Sequence, residues 1–94
     1  MFIKLNKISE RPDGQKYLVE VRLNTTHILS ISENIQMSQD LTEGKILKGL
    51  SPLAKFSDIS LMTIQGSETI TVIGEPEIIE SKIVLSNKRQ LLRG

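Results

Sequence analysis

Hydrophobic and polar residues alternate along two runs in the second half of the chain, on either side of a short segment that contains Gly66. The runs cover residues 59–64 and 69–73, and both have the two-residue period of a strand that buries one face. The segment between them is short and contains a glycine, so the pattern predicts a β-hairpin.

A helical pattern follows this hairpin. Pro76 suits the first turn of a helix, and Glu77 favours the positive end of the helix dipole. Ile78, Ile79 and Ile83 then recur at the spacing of one helix face. We predict a helix from residue 76 to about residue 86, with residues 87–94 as a basic tail.

The first half of the chain contains three further runs that we interpret as strands, over residues 2–8, 17–23 and 27–32. The first two alternate, and the third contains Ile28 and Leu29 followed by Ile31. The connection between the first two contains Pro12 and the pair Asp13-Gly14, which are strong turn signals. Since both connections are short, we predict that these three strands form an antiparallel meander.

Residues 34–57 form the least regular part of the sequence. Gly44, Gly49 and Pro52 interrupt any helical pattern there. We predict a long loop or insertion with a short helical turn near residues 45–50. A connection of this length in a small domain is typically functional or disordered.

Apolar residues recur every three positions within this loop. They form either part of the core or an exposed patch that binds a protein partner. The candidate partner-binding residues are Leu47, Leu50, Leu53 and Phe56.

The whole pattern indicates a mainly β (α+β) fold: an antiparallel sheet of about five strands, one C-terminal helix and a long central loop. The 94 residues suggest a single domain, 1–94. With one tyrosine, two phenylalanines and no tryptophan, the core depends on aliphatic side chains. A small aliphatic core gains stability by burying a face against a second copy, so we expect a homo-oligomer.

Composition narrows the classes of function. The net charge of +1 gives no general field towards nucleic acid or membranes, and the absence of cysteine excludes disulfides and thiolate zinc sites. No apolar run approaches the ~20 residues of a membrane span. The N-terminal residues lack the pattern of a signal peptide. We expect a cytoplasmic protein that uses no cofactor and binds no membrane.

The order of these segments resembles the small FlbD-like (SwrD-like) proteins of flagellar and swarming motility. The shared features are Ile3-Lys4-Leu5, Leu23-Asn24-Thr25-Thr26-His27-Ile28, Ile31-Ser32-Glu33, Ile59-Ser60-Leu61, Gly66, and Ile70-Thr71-Val72 followed by Glu75, Ile78-Ile79 and Ile83. The chain departs from that pattern in its longer first turn, the loop over residues 34–58 and the tail beyond Leu85. The resemblance implies a small scaffold rather than an enzymatic activity.

Catalytic and metal-binding residues are scarce. His27 is the only histidine, and no spaced cluster of histidine or cysteine provides metal ligands. We interpret His27 as structural rather than as a general base, and we expect no metal site, no catalytic residue and no enzyme. The leading interpretation is a small non-enzymatic binding or regulatory module that acts through protein–protein contacts.

Two alternatives remain open. One is an oligomer that sequesters an anionic nucleotide signal, as some phage proteins do, in pockets between copies. Cations and hydroxyls suit such a ligand, and the candidate residues are Arg11, Lys16, Arg22, Thr25, Thr26 and His27. The other is nucleic-acid contact through Lys88, Arg89 and Arg93 of the tail. This alternative is less favoured, because the tail has only three cations and no aromatic residues between them.

Overall fold

The computed structural model describes residues 1–47, 49–51 and 53–93, with side chains up to residue 87. In chain order the elements are β1 (Phe2–Glu10), β2 (Lys16–Asn24), a 3₁₀ helix (Thr25–His27), β3 (Ile28–Glu33), α1 (Ile35–Thr42), β4 (Phe56–Thr63), β5 (Gly66–Ile73) and α2 (Pro76–Arg93). The five strands form one antiparallel sheet in the order β2-β1-β5-β4-β3. The predicted fold class is therefore confirmed.

The predicted meander of the first three strands is wrong. β1 pairs with β2 and β5, whereas β3 pairs with β4, so β2 and β3 occupy the two edges of the sheet. The segment between them is not a hairpin turn but a 3₁₀ helix, which Asn24 caps by accepting a hydrogen bond from the backbone N–H of Thr26 at 3.1 Å. This cap gives a backbone N–H at the start of the 3₁₀ helix a hydrogen-bond partner.

The connection between β2 and β3 also requires a curved sheet. The outermost strands of a flat five-stranded sheet lie about 19 Å apart, whereas the chain from Asn24 to Ile28 reaches at most about 14 Å. The last residues of β2 therefore approach the first residues of β3, although the two strands do not form a ladder.

The main core lies between the sheet and α2. It contains apolar side chains from three strands, all on the same face, together with Ile79 of α2. Alternation along each strand places these side chains on one face. The buried members are Ile3, Leu5, Ile59, Ile70, Val72 and Ile79, and Val21, Leu23, Ile28, Ile31, Leu61 and Ile83 pack around them.

A second helix, α1, occupies the start of the segment predicted as a loop. Asn34 caps it by accepting a hydrogen bond from the N–H of Met37 at 2.9 Å. The buried residues of α1 are Ser38 and Leu41, three positions apart and therefore on one face. The Oγ of Ser38 accepts a hydrogen bond from the N–H of Phe56 at 3.0 Å, which fixes α1 to the first residue of β4.

The cap of α1 is tied to the centre of the sheet. Asn34 Nδ2 donates to Asp58 Oδ1 at 3.0 Å, and Thr71 Oγ1 donates to the same oxygen at 2.6 Å. Asp58 and Thr71 are directly paired across β4 and β5. One carboxylate therefore links the helix start to two neighbouring strands.

We expect the substitution Asn34→Ala to lower the free energy of unfolding by about 2 kcal/mol, because it removes a helix cap and one donor to a part-buried carboxylate. Urea denaturation measures this. The matched control is Asn6→Ala on the exposed face of β1, which should change stability by less than about 0.5 kcal/mol. Equal effects of the two substitutions would contradict a capping role for Asn34.

The C-terminal helix is longer than the sequence pattern predicts. Its backbone continues from Pro76 to Arg93 rather than ending near residue 86. Ser86 and Asn87 do not interrupt it, because such residues lower helix propensity only modestly. The side chains of Lys88, Arg89 and Arg93, on which the nucleic-acid hypothesis depends, lie outside the described residues.

Candidate functional site

One edge of the sheet is formed by β2 along its whole length. All nine residues of β2 are paired with β1 in an unbroken register, from Phe2 opposite Asn24 to Glu10 opposite Lys16. β2 contains no proline and no bulge, which are common devices that stop an edge strand from pairing with another chain. We call the outer side of Lys16–Asn24 the β2 edge.

Hydrogen bonds at both ends of this ladder show which backbone groups point outwards. Arg11 N–H donates to the Gln15 carbonyl at 2.8 Å, and Thr25 N–H donates to the Met1 carbonyl at 3.0 Å. Backbone bonding alternates along an antiparallel strand, so the odd-numbered residues of β2 direct their N–H and C=O groups towards β1. The groups that point outwards belong to Lys16, Leu18, Glu20, Arg22 and Asn24.

The side chains of β2 divide between the two faces of the sheet. Tyr17, Val19, Val21 and Leu23 extend the apolar face, and Val19 is still 38% exposed. Glu20 and Arg22 lie on the other face, where both are exposed. Arg22 stands directly opposite Lys4 of β1, and like charges in that position are unfavourable.

The other edge of the sheet is different. β3 has six residues, and its pairing with β4 shifts register between Ile28 and Ser30. A bulge of this kind twists an edge and interrupts its row of free backbone groups. α2 also lies near β3. The chain therefore disrupts one edge and leaves the other regular.

A groove of about 760 Å³ lies beside the hairpin that joins β1 to β2. Residues 14–18 form one wall, and the other wall comprises Lys45, Ile46, Leu47, Gly49 and Leu50. The Arg11 guanidinium stacks on the Tyr17 ring, 5.4 Å from its centroid. This volume would accommodate a small ligand.

Among the described residues that line this groove, the two lysines have carboxylate partners. Lys16 Nζ lies 3.4 Å from Glu10 Oε1, and Lys45 Nζ lies 2.8 Å from Glu43 Oε2. The hydrogen bond and the charge of Glu43 raise the pKa of Lys45 above its ordinary value. The positive charge that Lys16 and Lys45 could offer to an anionic ligand is therefore reduced at both walls of the groove.

The structure separates the residues predicted to bind an anion. Arg11 and Lys16 lie beside the β1–β2 hairpin, Arg22 lies along the β2 edge, and Thr25, Thr26 and His27 form the 3₁₀ helix. Eight residue steps of strand between Lys16 and Asn24 span about 26 Å. These six residues therefore do not line a common pocket within one copy of the chain.

The 3₁₀ helix uses its polar side chains locally. Thr26 Oγ1 donates to Asn24 Oδ1 at 2.8 Å. His27 is exposed and borders an open cavity of about 770 Å³ beside Met62 and Ile64. Among the described residues, no three His, Cys, Asp or Glu side chains are grouped as metal ligands.

The predicted partner-binding stripe is divided between different environments. Phe56 is fully buried as the first residue of β4, whereas Leu53 is 83% exposed. Leu47 and Leu50 are half-buried and line the groove described above. Phe56 thus belongs to the interior, and the remaining three leucines do not form a single patch with it.

The sequence interpretation missed the polar cluster of Asn34, Ser38 and Asp58. Asn34 just before the run that becomes α1 was an available signal, since asparagine is a preferred helix cap. The position of β2 at the edge of the sheet had no such signal in the sequence. The order of the strands decides which strand lies at an edge, and the alternation of apolar and polar residues does not reveal that order.

No protein-family model, curated protein sequence or solved structure matches this chain. Within the described residues, no helix is both long and apolar enough to span a membrane.

Proposed function

We propose that this chain is a small non-enzymatic module that acts through protein–protein contacts as a homo-oligomer. The observation that carries the proposal is the β2 edge, a regular nine-residue strand whose outward backbone groups pair with no other strand among the described residues. Such an edge is a ready template for another strand. Addition of a strand from a second copy pairs these groups without any change in the fold.

The shape of the chain supports this proposal. Its radius of gyration is 14.3 Å, compared with about 12 Å for a typical domain of this length. The molecule measures 45 × 31 × 19 Å, so it is thin in one direction. A thin molecule leaves much apolar surface near solvent, as the half-exposed Val19 and Tyr17 beside the edge illustrate.

We expect the substitution Glu20→Pro to abolish self-association while preserving the fold of each copy. The N–H of Glu20 points away from β1, so proline removes a group that only a second copy would use. Sedimentation velocity from micromolar to millimolar concentration should show dimers for the native chain and monomers for this variant. Circular dichroism and thermal unfolding check that each copy remains folded.

The control for this experiment is Val21→Pro, one residue further along. The N–H of Val21 points towards β1, so proline at that position breaks the ladder within one copy and should lower thermal stability markedly. A native chain that stays monomeric throughout would contradict the proposed self-association. A Glu20→Pro variant that is folded and still dimeric would contradict the use of the β2 edge.

The hypothesis of nucleotide sequestration stays a prediction. Within one copy, the groove beside the β1–β2 hairpin offers an aromatic ring, but the two lysines described in its walls are already paired with Glu10 and Glu43. The role in motility likewise depends on the sequence resemblance alone. The geometry therefore supports the interaction module best.

A further inference from the structure

We infer that the second copy binds along β2 about a twofold axis at Val21, so that Glu20 of each copy faces Arg22 of the other. This inference rests on the proposed function, because it specifies how the β2 edge is used. It commits to one occupant, a second copy of this chain, and to one register.

Twofold pairing of identical antiparallel strands permits only a few registers, and charge discriminates among them. An axis at Glu20 places two glutamates opposite each other, and an axis at Arg22 places two arginines opposite each other. An axis at Val19 sets Lys16 against Arg22. Like charges directly opposite destabilise a ladder, so these three registers are disfavoured. Of the five central positions of β2, residues 18–22, the axes at Leu18 and Val21 remain.

The axis at Val21 is favoured over the axis at Leu18. With the axis at Val21, residues 18–24 of both copies lie in the ladder, whereas the axis at Leu18 pairs only residues 16–20. The axis at Leu18 also requires Lys16 as the partner of Glu20, although Lys16 already lies 3.4 Å from Glu10. In addition, it brings the second copy against the hairpin residues that border the groove.

The axis at Val21 resolves an unfavourable feature of the single chain. Arg22 faces Lys4 across β1 and β2, and the described residues provide neither Arg22 nor Glu20 with an ion-pair partner. A glutamate from the second copy would lie on the other side of Arg22 and would offset the repulsion from Lys4. Two such ion pairs form, one on each side of the axis.

The backbone and the apolar face agree with the same register. The outward N–H and C=O groups of Leu18, Glu20 and Arg22, together with the N–H of Asn24, meet those of the second copy, which gives about six backbone hydrogen bonds. The carbonyl of Asn24 does not contribute, because Asn24 caps the 3₁₀ helix. On the other face of the sheet, Val19 lies opposite Leu23 of the second copy. The 38% of Val19 that is exposed in the single chain would then be covered.

Charge reversal tests this register directly. We expect Glu20→Arg and Arg22→Glu each to raise the dissociation constant of the dimer roughly tenfold to hundredfold, because each creates two like-charge contacts. Mixing the two variants should restore affinity as a one-to-one heterodimer, since arginines at 20 and 22 of one copy face glutamates of the other. Sedimentation equilibrium and native mass spectrometry measure both effects.

The matched control is Glu68→Arg, the same reversal at an exposed position of the inner strand β5, which should leave the dissociation constant unchanged. A native dimer that Arg22→Glu does not weaken, or a mixture without heterodimers, would overturn the register and leave self-association intact. A closed ring of more than two copies would also overturn it. A native chain that is monomeric at every concentration would overturn the proposed function itself.

Discussion

Replacing Phe56 with alanine should lower the free energy of unfolding by about 3–5 kcal/mol. Phe56 is fully buried on the face of the sheet opposite the main core, because it alternates with Ser57 and Ile59 along β4. Its backbone N–H donates to Ser38 of α1. The substitution therefore leaves a cavity where α1 meets the sheet.

This loss is large for a chain of 94 residues, whose total stability is expected to be about 5–14 kcal/mol. Urea denaturation followed by circular dichroism measures it. Leu53→Ala is the control, because Leu53 belongs to the same sequence stripe but is 83% exposed, and it should cost less than about 0.5 kcal/mol. Similar losses for both variants would show that the stripe packs as one cluster.

The substitution Ile79→Ala should lower the free energy of unfolding by about 2–5 kcal/mol. Ile79 is 1% exposed and joins the cluster formed by Ile59, Ile70 and Val72. Ile79 also packs over the turn that leads into α2. A Cβ atom added at Gly74 in this turn would lie 3.6 Å from Cγ1 of Ile79. Ile79 is thus the main buried anchor of α2 among the helix side chains described.

Ile78→Ala provides a closely matched control for Ile79→Ala. The two residues are neighbours of the same type in the first turns of α2, but Ile78 is 53% exposed. Any change in helix propensity is shared, so the difference between the two losses reports burial alone. If Ile78→Ala lowered the free energy of unfolding as much as Ile79→Ala, that result would contradict an orientation of α2 in which only Ile79 of the two packs on the sheet.

Local patterns predicted the strands well because each strand has one face that is buried in the core or packs partly buried side chains against it. The hairpin of β4 and β5 follows from alternation around Gly66, and Pro12 with Asp13-Gly14 correctly marks the turn between β1 and β2. These features depend on neighbours in sequence. For such features, residue type and spacing carry the required information.

The pairing of strands could not be predicted in the same way. β1 lies between β2 and β5, and its contact with β5 joins Lys7 to Val72 across most of the chain. Alternation shows that a strand has two faces, but it does not show which strands are its neighbours. The meander prediction relied on short connections, and the 3₁₀ helix at Thr25–His27 replaced the expected turn.

The candidate site depends on this long-range arrangement. Arg22 was identified from the sequence only as a cation for an anionic ligand. Its position on an edge strand, opposite Lys4 and next to Glu20, is evident only once the register is known. The same residue therefore changes from a predicted ligand-binding group to a proposed contact between copies.

The register shift between Ile28 and Ser30 would limit how far the proposed association can proceed. Pairing about a twofold axis uses the β2 edge of both copies, so the only strands left at the two ends of the joined sheet are the two β3 strands. Each of these is short and bulged, and offers a poor template for further growth. The assembly would therefore end at two copies instead of extending into a fibre.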